Sequence, residues 1–424
     1  MRANELIKKL EEGALNRYKN LYTDLDRQTE RFIKAINSFT KIYGEDKEIS
    51  VFSVPGRSEI SGNHTDHNRG CVLAASIDRD IIAVAAKNED GVIRFHSEGY
   101  PEDKVSLADA DKPEAFKNYS SAALIAGMAN RFINAGYKVG GYDAYSTSEV
   151  LKGGGISSSA AYEVMVGNIF NHLYASGEVE NTEIAKYARY AENVFFGKPC
   201  GLMDQMACAV GGFVYIDFED NENPAVEPID FSLSDAGYSL CIVNSGGTHA
   251  ELNEDYAAIP GEMCAVAKLL GREVLRGLTE EDIIKNLNNI RRLVGDRAVL
   301  RTLHFLRENK RVEKIKRALK SGNVEEFLSG VRESGRSSFE YLQNVYSNMN
   351  VKEQGLSLAL ALSEGYLEDK RAACRVHGGG FAGTIQVFVR NEDAEGYVSY
   401  MNSILGKDSA AAFRIRGIGA AKLF

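Results

Sequence analysis

The sequence predicts a two-domain protein that mixes helices and strands, of the α/β or α+β class, with a ligand cleft shared by the domains. Three observations lead there. The chain has 424 residues, about two or three times the size of a typical domain. Extended apolar runs alternate with stretches of helical period. Its 40 glycines, against 7 prolines and no tryptophan, gather in a few loops. An apolar content of 44% with 26% charged residues is ordinary for a folded chain and excludes a disordered, collagenous or membrane-spanning one. The net charge of −9 excludes a general basic surface for nucleic acid or anionic lipid. The apolar run LSLALAL at 356–362 is too short to cross a bilayer. No signal-peptide pattern marks the charged opening MRANELIKKLEEG, so a cytoplasmic location is expected.

Residues 1–48 form a helical extension, with Leu6, Ile7 and Leu10, then Phe32, Ile33, Ile36 and Phe39 at helical spacing. Ile49 to Val54 reads as a strand ending at Pro55-Gly56, followed by two strand-like runs, CVLAASID and IIAVAAK. The strand GGFVYIDF gives way to the acidic, turn-rich EDNENP. This divides a domain at 49–220 from a second at 221–424. Residues 261–370 are mainly helical by pattern, and TIQVFV at 384–389 is a strand. Repeats of solenoid period and low-complexity tracts are absent. Cysteines at 71, 200, 208, 241, 264 and 374 include no CxxC pair, which predicts reduced, mostly buried thiols.

Three segments carry chemistry. In LKGGGISSSAAYEVMVGNIFNHLY, Gly153, Gly154 and Gly155 open a backbone path for close approach to a ligand, and the apolar residues from Tyr162 to Leu173 make an amphipathic helix. A glycine loop feeding a helix N-terminus is an anion site, and Ser157, Ser158 and Ser159 add hydroxyls for phosphate or a metal ion. The bland alternative is a flexible turn with a serine cap. The Walker pattern GxxxxGK[ST] is absent. GGGFAG at 378–383 matches GxGxxG formally, but its strand follows instead of preceding it. That loop fits close approach to a ligand or to the first loop. The second segment, VPGRSEISGNHTDHNRG, packs Arg57, Glu59, Asn63, His64, Asp66 and His67 into eleven positions, suited to a polyhydroxylated ligand. A metal reading of His64, Asp66 and His67 is the weaker one. The third segment, YAENVFFGKPCGLMDQMACAVGG, sets Asp204 among apolar residues, where a carboxylate is costly unless paired or functional, and carries Glu192 on the preceding helix.

In order and spacing, GRSEISGNHTDH, GGGISSSAA, GLMDQ and GGGFAG resemble the galactokinase branch of the GHMP small-molecule kinases, whose motifs are GRxNxxGEHTDY, GxGLSSSA, GIMDQ and GGGFGG. The resemblance runs from about Val51 to the closing GIGAAK and extends over IVNSGGTHAELNEDY. It implies an α+β fold of a mixed α/β N-terminal domain and a ferredoxin-like C-terminal domain, with the active site between them. The implied chemistry is transfer of the ATP γ-phosphoryl to the 1-hydroxyl of galactose or a close relative. By position, Gly153, Gly154, Gly155, Ser157, Ser158 and Ser159 would cradle ATP, and Ser159 with Glu192 would hold Mg²⁺. Asp204 would accept or orient the hydroxyl proton, and Arg57 would stabilise developing charge. His64, Asp66, Asn63, Glu59 and Tyr256 would face the sugar. The protein is then expected to bind a small-molecule sugar, without nucleic acid or membrane, as a monomer or weak oligomer.

The sugar-facing residues depart from the family pattern. Asn63 replaces its glutamate, His67 its tyrosine, and Glu59 its asparagine. The family glutamate is understood to accept from the sugar 6-hydroxyl, so Asn63 is expected to loosen the reading of that position. Two alternatives follow: a non-catalytic sugar and ATP sensor of galactokinase type, or a kinase for another sugar such as a uronic acid or a pentose. Ser159-Ala160 after the phosphate loop favours the enzyme, because sensors of that kind typically lack this step.

Overall fold

A computed structural model describes residues 1–150, 155–247 and 252–424. Helices α1 (Ala3–Glu11) and α2 (Leu25–Tyr43) lead into β1 (Ser50–Ser61), β2 (Cys71–Lys87), β3 (Val92–Ser97) and β4 (Asp103–Ser106). Next come α3 (Ser121–Asn134), β5 (Tyr142–Ser148), α4 (Ser158–Tyr174), α5 (Asn181–Tyr190), α6 (Met203–Val210), β6 (Phe213–Asp217) and β7 (Ala225–Ile229). Beyond β8 (Tyr238–Asn244) a helical stretch holds α7 (Asn253–Leu269), α8 (Glu280–Lys285), α9 (Leu287–Leu293), α10 (Asp296–Lys320), α11 (Val324–Ser337) and α12 (Gly355–Leu367). The chain closes with β9 (Ala373–His377), β10 (Thr384–Arg390), α13 (Asn391–Leu405), β11 (Ala410–Phe413) and β12 (Ala421–Lys422).

Among the described residues there are two sheets. The larger runs β12-β1-β2-β5-β3-β4, with β6 and β7 continuing from β2; the smaller is antiparallel, β11-β8-β10-β9. Strands from both sides of residue 220 share the larger sheet, because β7 pairs with β6 and β12 returns to β1.

Two strands run further than their sequence suggests. CVLAASID and IIAVAAK form one 17-residue strand. No glycine or proline interrupts Asp78-Arg79-Asp80, and β1 stays alongside while the opposite neighbour changes from β6 to β5. Likewise β1 continues past Pro55-Gly56 to Ser61, with bulges between Pro55 and Arg57 and between Glu59 and Ser61. A bulge bends the strand and re-aims the side chains beside it, here Arg57 and Glu59.

Both faces of this sheet are covered. Phe52, Val54, Ala83 and Ala85 point into the main core with Val164, Met165 and Phe170 of α4. Their neighbours Val51, Ile82, Val84 and Ala86 point the other way, under Leu6, Leu10, Phe32, Ile36 and Phe39. The N-terminal helices therefore bury a sheet face that would otherwise meet water, which is why β2 reads as continuously apolar. Val51 N–H donates to the carbonyl of Phe424 at 2.8 Å, and the Phe424 ring packs edge-on against Tyr18.

Beneath the extension lies an ion cluster. Asp80, 1% exposed, accepts from Arg31 Nη1 at 2.6 Å, Tyr22 Oη at 2.7 Å and Arg416 Nη1 at 3.1 Å. Burial would raise its proton affinity, but Arg31 and Arg416 together hold the carboxyl down at about 2. One carboxylate thereby ties α2, β2 and the returning tail.

Removing that charge strands the buried Arg416 and leaves Arg31 only Glu149 at 3.5 Å, so Asp80→Asn is expected to destabilise the fold by about 3–5 kcal/mol, read as a lower urea midpoint. Because the folded value lies below the unfolded one of about 3.9, this contribution is complete above that pH and is lost as the pH falls toward 2. Acid titration of the variant should lack that component.

Candidate active site

The bulged end of β1 sets Arg57 in the seam between sheet, phosphate loop and α6. Its Nε donates to Asp204 Oδ1 at 2.6 Å and its Nη2 to Oδ2 at 2.7 Å, a two-pronged pair. The third group, Nη1, donates to the carbonyl of Gly155 at 2.6 Å. This demands close backbone approach: a Cβ on Gly56 would meet the Ile156 carbonyl at 2.7 Å, and one on Gly155, at φ +71°, would meet Thr384 Oγ1 at 2.6 Å.

Asp204 stands in the first turn of α6, not at its cap. Burial acts to raise its carboxyl, but the charge and hydrogen bonds of Arg57, with the Ser157 hydroxyl, hold it below the usual aspartate value. A third of its side chain stays open, against 8% for Arg57, so the carboxylate remains accessible while its guanidinium is closed off. Ser157 occupies the N-cap position of α4 at φ 57° but makes no cap bond; its hydroxyl donates to Asp204 instead. Ser158 and Ser159 begin α4, where the helix dipole favours an anion. Gly153 and Gly154 lie outside the described residues.

The sugar-loop residues divide into two groups. Asp66 opens a short 3-10 turn, and a Cβ on Gly201 would come within 2.5 Å of its Oδ2; the GLMD segment thus brings Asp66 and Asp204 to one place. His64, at φ 54°, donates from Nε2 to the Gly379 carbonyl at 2.8 Å, since a carbonyl can only accept. Burial lowers its pKa to about 4, which leaves Nδ1 of a neutral ring as an acceptor. Tyr256 on α7 donates to the Gly380 carbonyl at 2.6 Å and packs edge-on against Phe381. The HGGGFAG loop therefore lies against the sugar loop and, through His377 and Thr384 beside Gly155, against the phosphate loop.

Asn63 and Glu59 are turned inward. Asn63 is fully buried, and its amide donates to Glu59 Oε1 at 2.6 Å and to the Gly378 carbonyl at 2.9 Å. Its oxygen accepts from Ser338 at 2.9 Å and from Arg375. The expectation that Asn63 reads a sugar hydroxyl meets an amide whose donors and acceptor are already engaged by protein groups. Burial raises the Glu59 carboxyl to about 7, against the opposing pull of Arg375 and Arg57.

Glu192 lies in a π-turn, Ala191–Phe196, and is buried. Lys198 Nζ sits 3.0 Å from its Oε1, and Gln205 Nε2 donates to its Oε2 at 2.8 Å. The same Gln205 nitrogen reaches Glu163 Oε2 at 3.1 Å, while Glu163 Oε1 and Gln205 Oε1 have no partner among the described residues. Burial, with Glu192 nearby, pushes the Glu163 carboxyl far up. Mg²⁺ uses one or two carboxylates and leaves its other positions to phosphates and water. One buried carboxylate that already attracts an ammonium, with a serine hydroxyl at the start of α4, fits that donor set. Among the described residues, groups of three or more His, Cys, Asp or Glu able to hold a metal are absent.

Sequence reasoning did not single out Glu163, Lys198, Gln205 or Arg375. Glu163 was within reach, since it follows Ser159 by four residues and so shares its helix face. Gln205 is part of GLMDQ. All six cysteines are free, with Cys71, Cys208 and Cys241 buried. Among the described residues, none of the helices is long and apolar enough to cross a membrane.

Comparison with known proteins bears on this geometry. Residues 37–87 match the galactokinase galactose-binding signature and residues 120–212 the N-terminal domain of GHMP kinases. The chain is 31% identical to a galactokinase of Streptomyces coelicolor over 357 residues, 83% of this chain and 87% of that one. A galactokinase of Enterococcus faecalis is 28% identical over 92% of this chain and 99% of its own length. The structure is similar to that of Lactococcus lactis galactokinase complexed with galactose, at TM-score 0.76 and 23% identity over 91% and 98% of the two chains. A mevalonate kinase structure matches at TM-score 0.59 and 14% identity, over 86% and 98%.

Two histidines in the seam make a measurable prediction. His304, bonded to Ser337 and the Asn63 carbonyl, and His377, bonded to Thr384 and Ser58, are buried. Burial lowers them to about 4 and about 3. Below the unfolded value of about 6.5 the unfolded chain binds the extra protons, so stability falls with decreasing pH by about 1.4 kcal/mol per unit per histidine. Urea unfolding at pH 7, 6 and 5 should show this slope, and His377→Gln should remove one histidine's share of it.

Proposed function

The chain belongs to the galactokinase family of the GHMP kinases, and from that membership we propose how its residues divide the work of phosphoryl transfer. It has the family's α+β fold and is a galactokinase-like sugar kinase, moving the γ-phosphoryl of ATP to galactose. In such a transfer the protein contributes position and charge more than covalent chemistry. The observation that carries the assignment is the Asp204 carboxylate, clamped by Arg57 and Ser157 where the phosphate loop meets α4.

Asp204, ionised and pulled low, is a weak base. It orients the anomeric hydroxyl by accepting its hydrogen bond and takes the proton late, when bonding to phosphorus has made that proton acidic. Arg57 lies between this carboxylate and the Gly155 carbonyl, placed to offset negative charge on the transferring group. Gly155, Ser158, Ser159 and the α4 N-terminus hold the nucleotide phosphates. Asp66 accepts from sugar hydroxyls, His64 offers Nδ1, and Tyr256 walls the pocket. Ser159 and Glu192 would hold Mg²⁺, which when bound neutralises phosphate charge. A second copy is not required, because Arg57, Asp66, Asp204 and Tyr256 come from one chain. Six free thiols and ATP dependence fit a cytoplasmic location.

The test is ADP release from Mg·ATP across a panel of sugars, with galactose expected to lead. Asp204→Asn is expected to lower turnover by about 10²–10⁴ while galactose still binds; turnover within a few-fold of wild type would remove Asp204 from the chemistry. Glu192→Gln should raise the Mg²⁺ concentration giving half-maximal rate. An unchanged requirement would take Glu192 out of the metal site.

A further inference from the structure

The π-turn that carries Glu192 is closed on itself. Gly197 ends it in the left-handed region at φ 82°, which returns the Lys198 amide to the Glu192 carbonyl at 3.1 Å. The Cys200 amide is fixed in turn by Asn193 Oδ1 at 2.7 Å. This closure sets the Lys198 side chain beside the carboxylate of the residue to which its backbone is bonded, with Nζ 3.0 Å from Glu192 Oε1. The partners differ in access: the Glu192 side chain is 3% exposed and that of Lys198 55%. The same ammonium lies in the field of Asp204 and Glu163. Arg57, by contrast, is locked, because its Nε, Nη1 and Nη2 already donate to Asp204 and the Gly155 carbonyl.

We propose that Lys198 exchanges partners: it neutralises Glu192 before nucleotide binds and, when Mg·ATP enters, gives up that carboxylate and donates to the phosphate oxygens instead. The proposal rests on the reading of Glu192 as a metal ligand. Two cations at contact distance on Glu192 Oε1 would repel each other, and Oε2 is held by Gln205 Nε2 at 2.8 Å. One cation must therefore leave the carboxylate. Lys198 can, because its ammonium rides on a flexible four-carbon stem that is half open to solvent. Gln205 is neutral and can stay, keeping the carboxylate oriented. The phosphates enter at the start of α4, beside Ser157 and Asp204, so the released ammonium meets new negative charge within the same site.

Lys198→Met keeps a long unbranched stem and removes the ammonium. Two binding measurements, neither of which needs turnover, should then move in opposite directions. Mn²⁺ titrated into the protein without nucleotide, followed by the paramagnetic resonance of free Mn²⁺, should bind about tenfold tighter, because a competing cation has gone. A non-hydrolysable ATP analogue titrated by calorimetry at saturating Mg²⁺ should bind about tenfold more weakly, the loss of one charge-assisted hydrogen bond. Lys198→Gln should repeat both shifts. Affinities that move the same way, or either one unchanged, overturn the exchange, since a merely structural lysine would weaken both. The Mn²⁺ titration of Glu192→Gln separates this from the metal reading. Weaker binding there, with no gain in Lys198→Met, overturns the exchange alone. Unchanged binding in Glu192→Gln overturns the metal reading and the exchange with it.

Discussion

A guanidinium taken out of water must be met by a carboxylate and by carbonyls in its plane, and the Arg57 side chain imposes that condition on the site. Asp204 supplies two acceptors and Gly155 the third. Satisfying all three forces strand, helix and phosphate loop into one arrangement. The bulge after Pro55 turns Arg57 toward α6, and Gly56 lets the loop carbonyl of Ile156 come within hydrogen-bond reach of the strand. Ser157 gives up its capping bond to donate to Asp204 as well. Pairing to this depth rigidifies by geometry more than it stabilises, because the desolvation of both ions offsets much of their attraction.

Behind this pair the seam between β1 and the C-terminal elements is polar but nearly closed. His377 joins Ser58 to Thr384, His304 joins the Asn63 carbonyl to Ser337, and Glu308 accepts from the Gly62 amide and from Ser334. A buried network is selective when its members are satisfied, since a shift of either side leaves donors or acceptors stranded. The sugar loop is thus held from behind by bonds to the second half of the chain. In the proposed site, Asp66, His64 and the open edge of Asp204 are the groups left to face a ligand.

The N-terminal helices belong to the same logic at a distance from the chemistry. They carry none of the motif residues, yet their apolar faces cover one side of the sheet whose other side supports α4 and α6. Asp80 locks that cover to the returning tail through Arg31 and Arg416. With that face held in this way, β1 stays in register with β2 from Ser50 to Pro55, up to the bulge that precedes Arg57.

Much of the candidate site was legible in the linear order. Glycine loop before amphipathic helix, polar loop between apolar runs and an aspartate set among apolar residues are local signals, because backbone freedom, helix period and the cost of burying charge act over a few neighbouring positions. The residue types and most of the elements follow from those rules. The identity of each partner does not. Asn63 looks like a ligand residue until Arg375 and Ser338, some 300 positions away, engage its amide oxygen. Ser157 looks like a phosphate ligand or a cap until Asp204 arrives from α6. Glu192 looks like a surface acid until Lys198 and Gln205 close on it. Two strand-like runs become the single strand β2 because β1 spans the polar break between them. Sequence alone determined which chemistry was present. Tertiary structure decided which groups stay open to a ligand, because hydrogen bonds are directional and saturable: the Asn63 amide, filled on both sides by protein groups, has nothing left to offer a substrate, whereas the Asp204 carboxylate keeps spare lone pairs and an open edge.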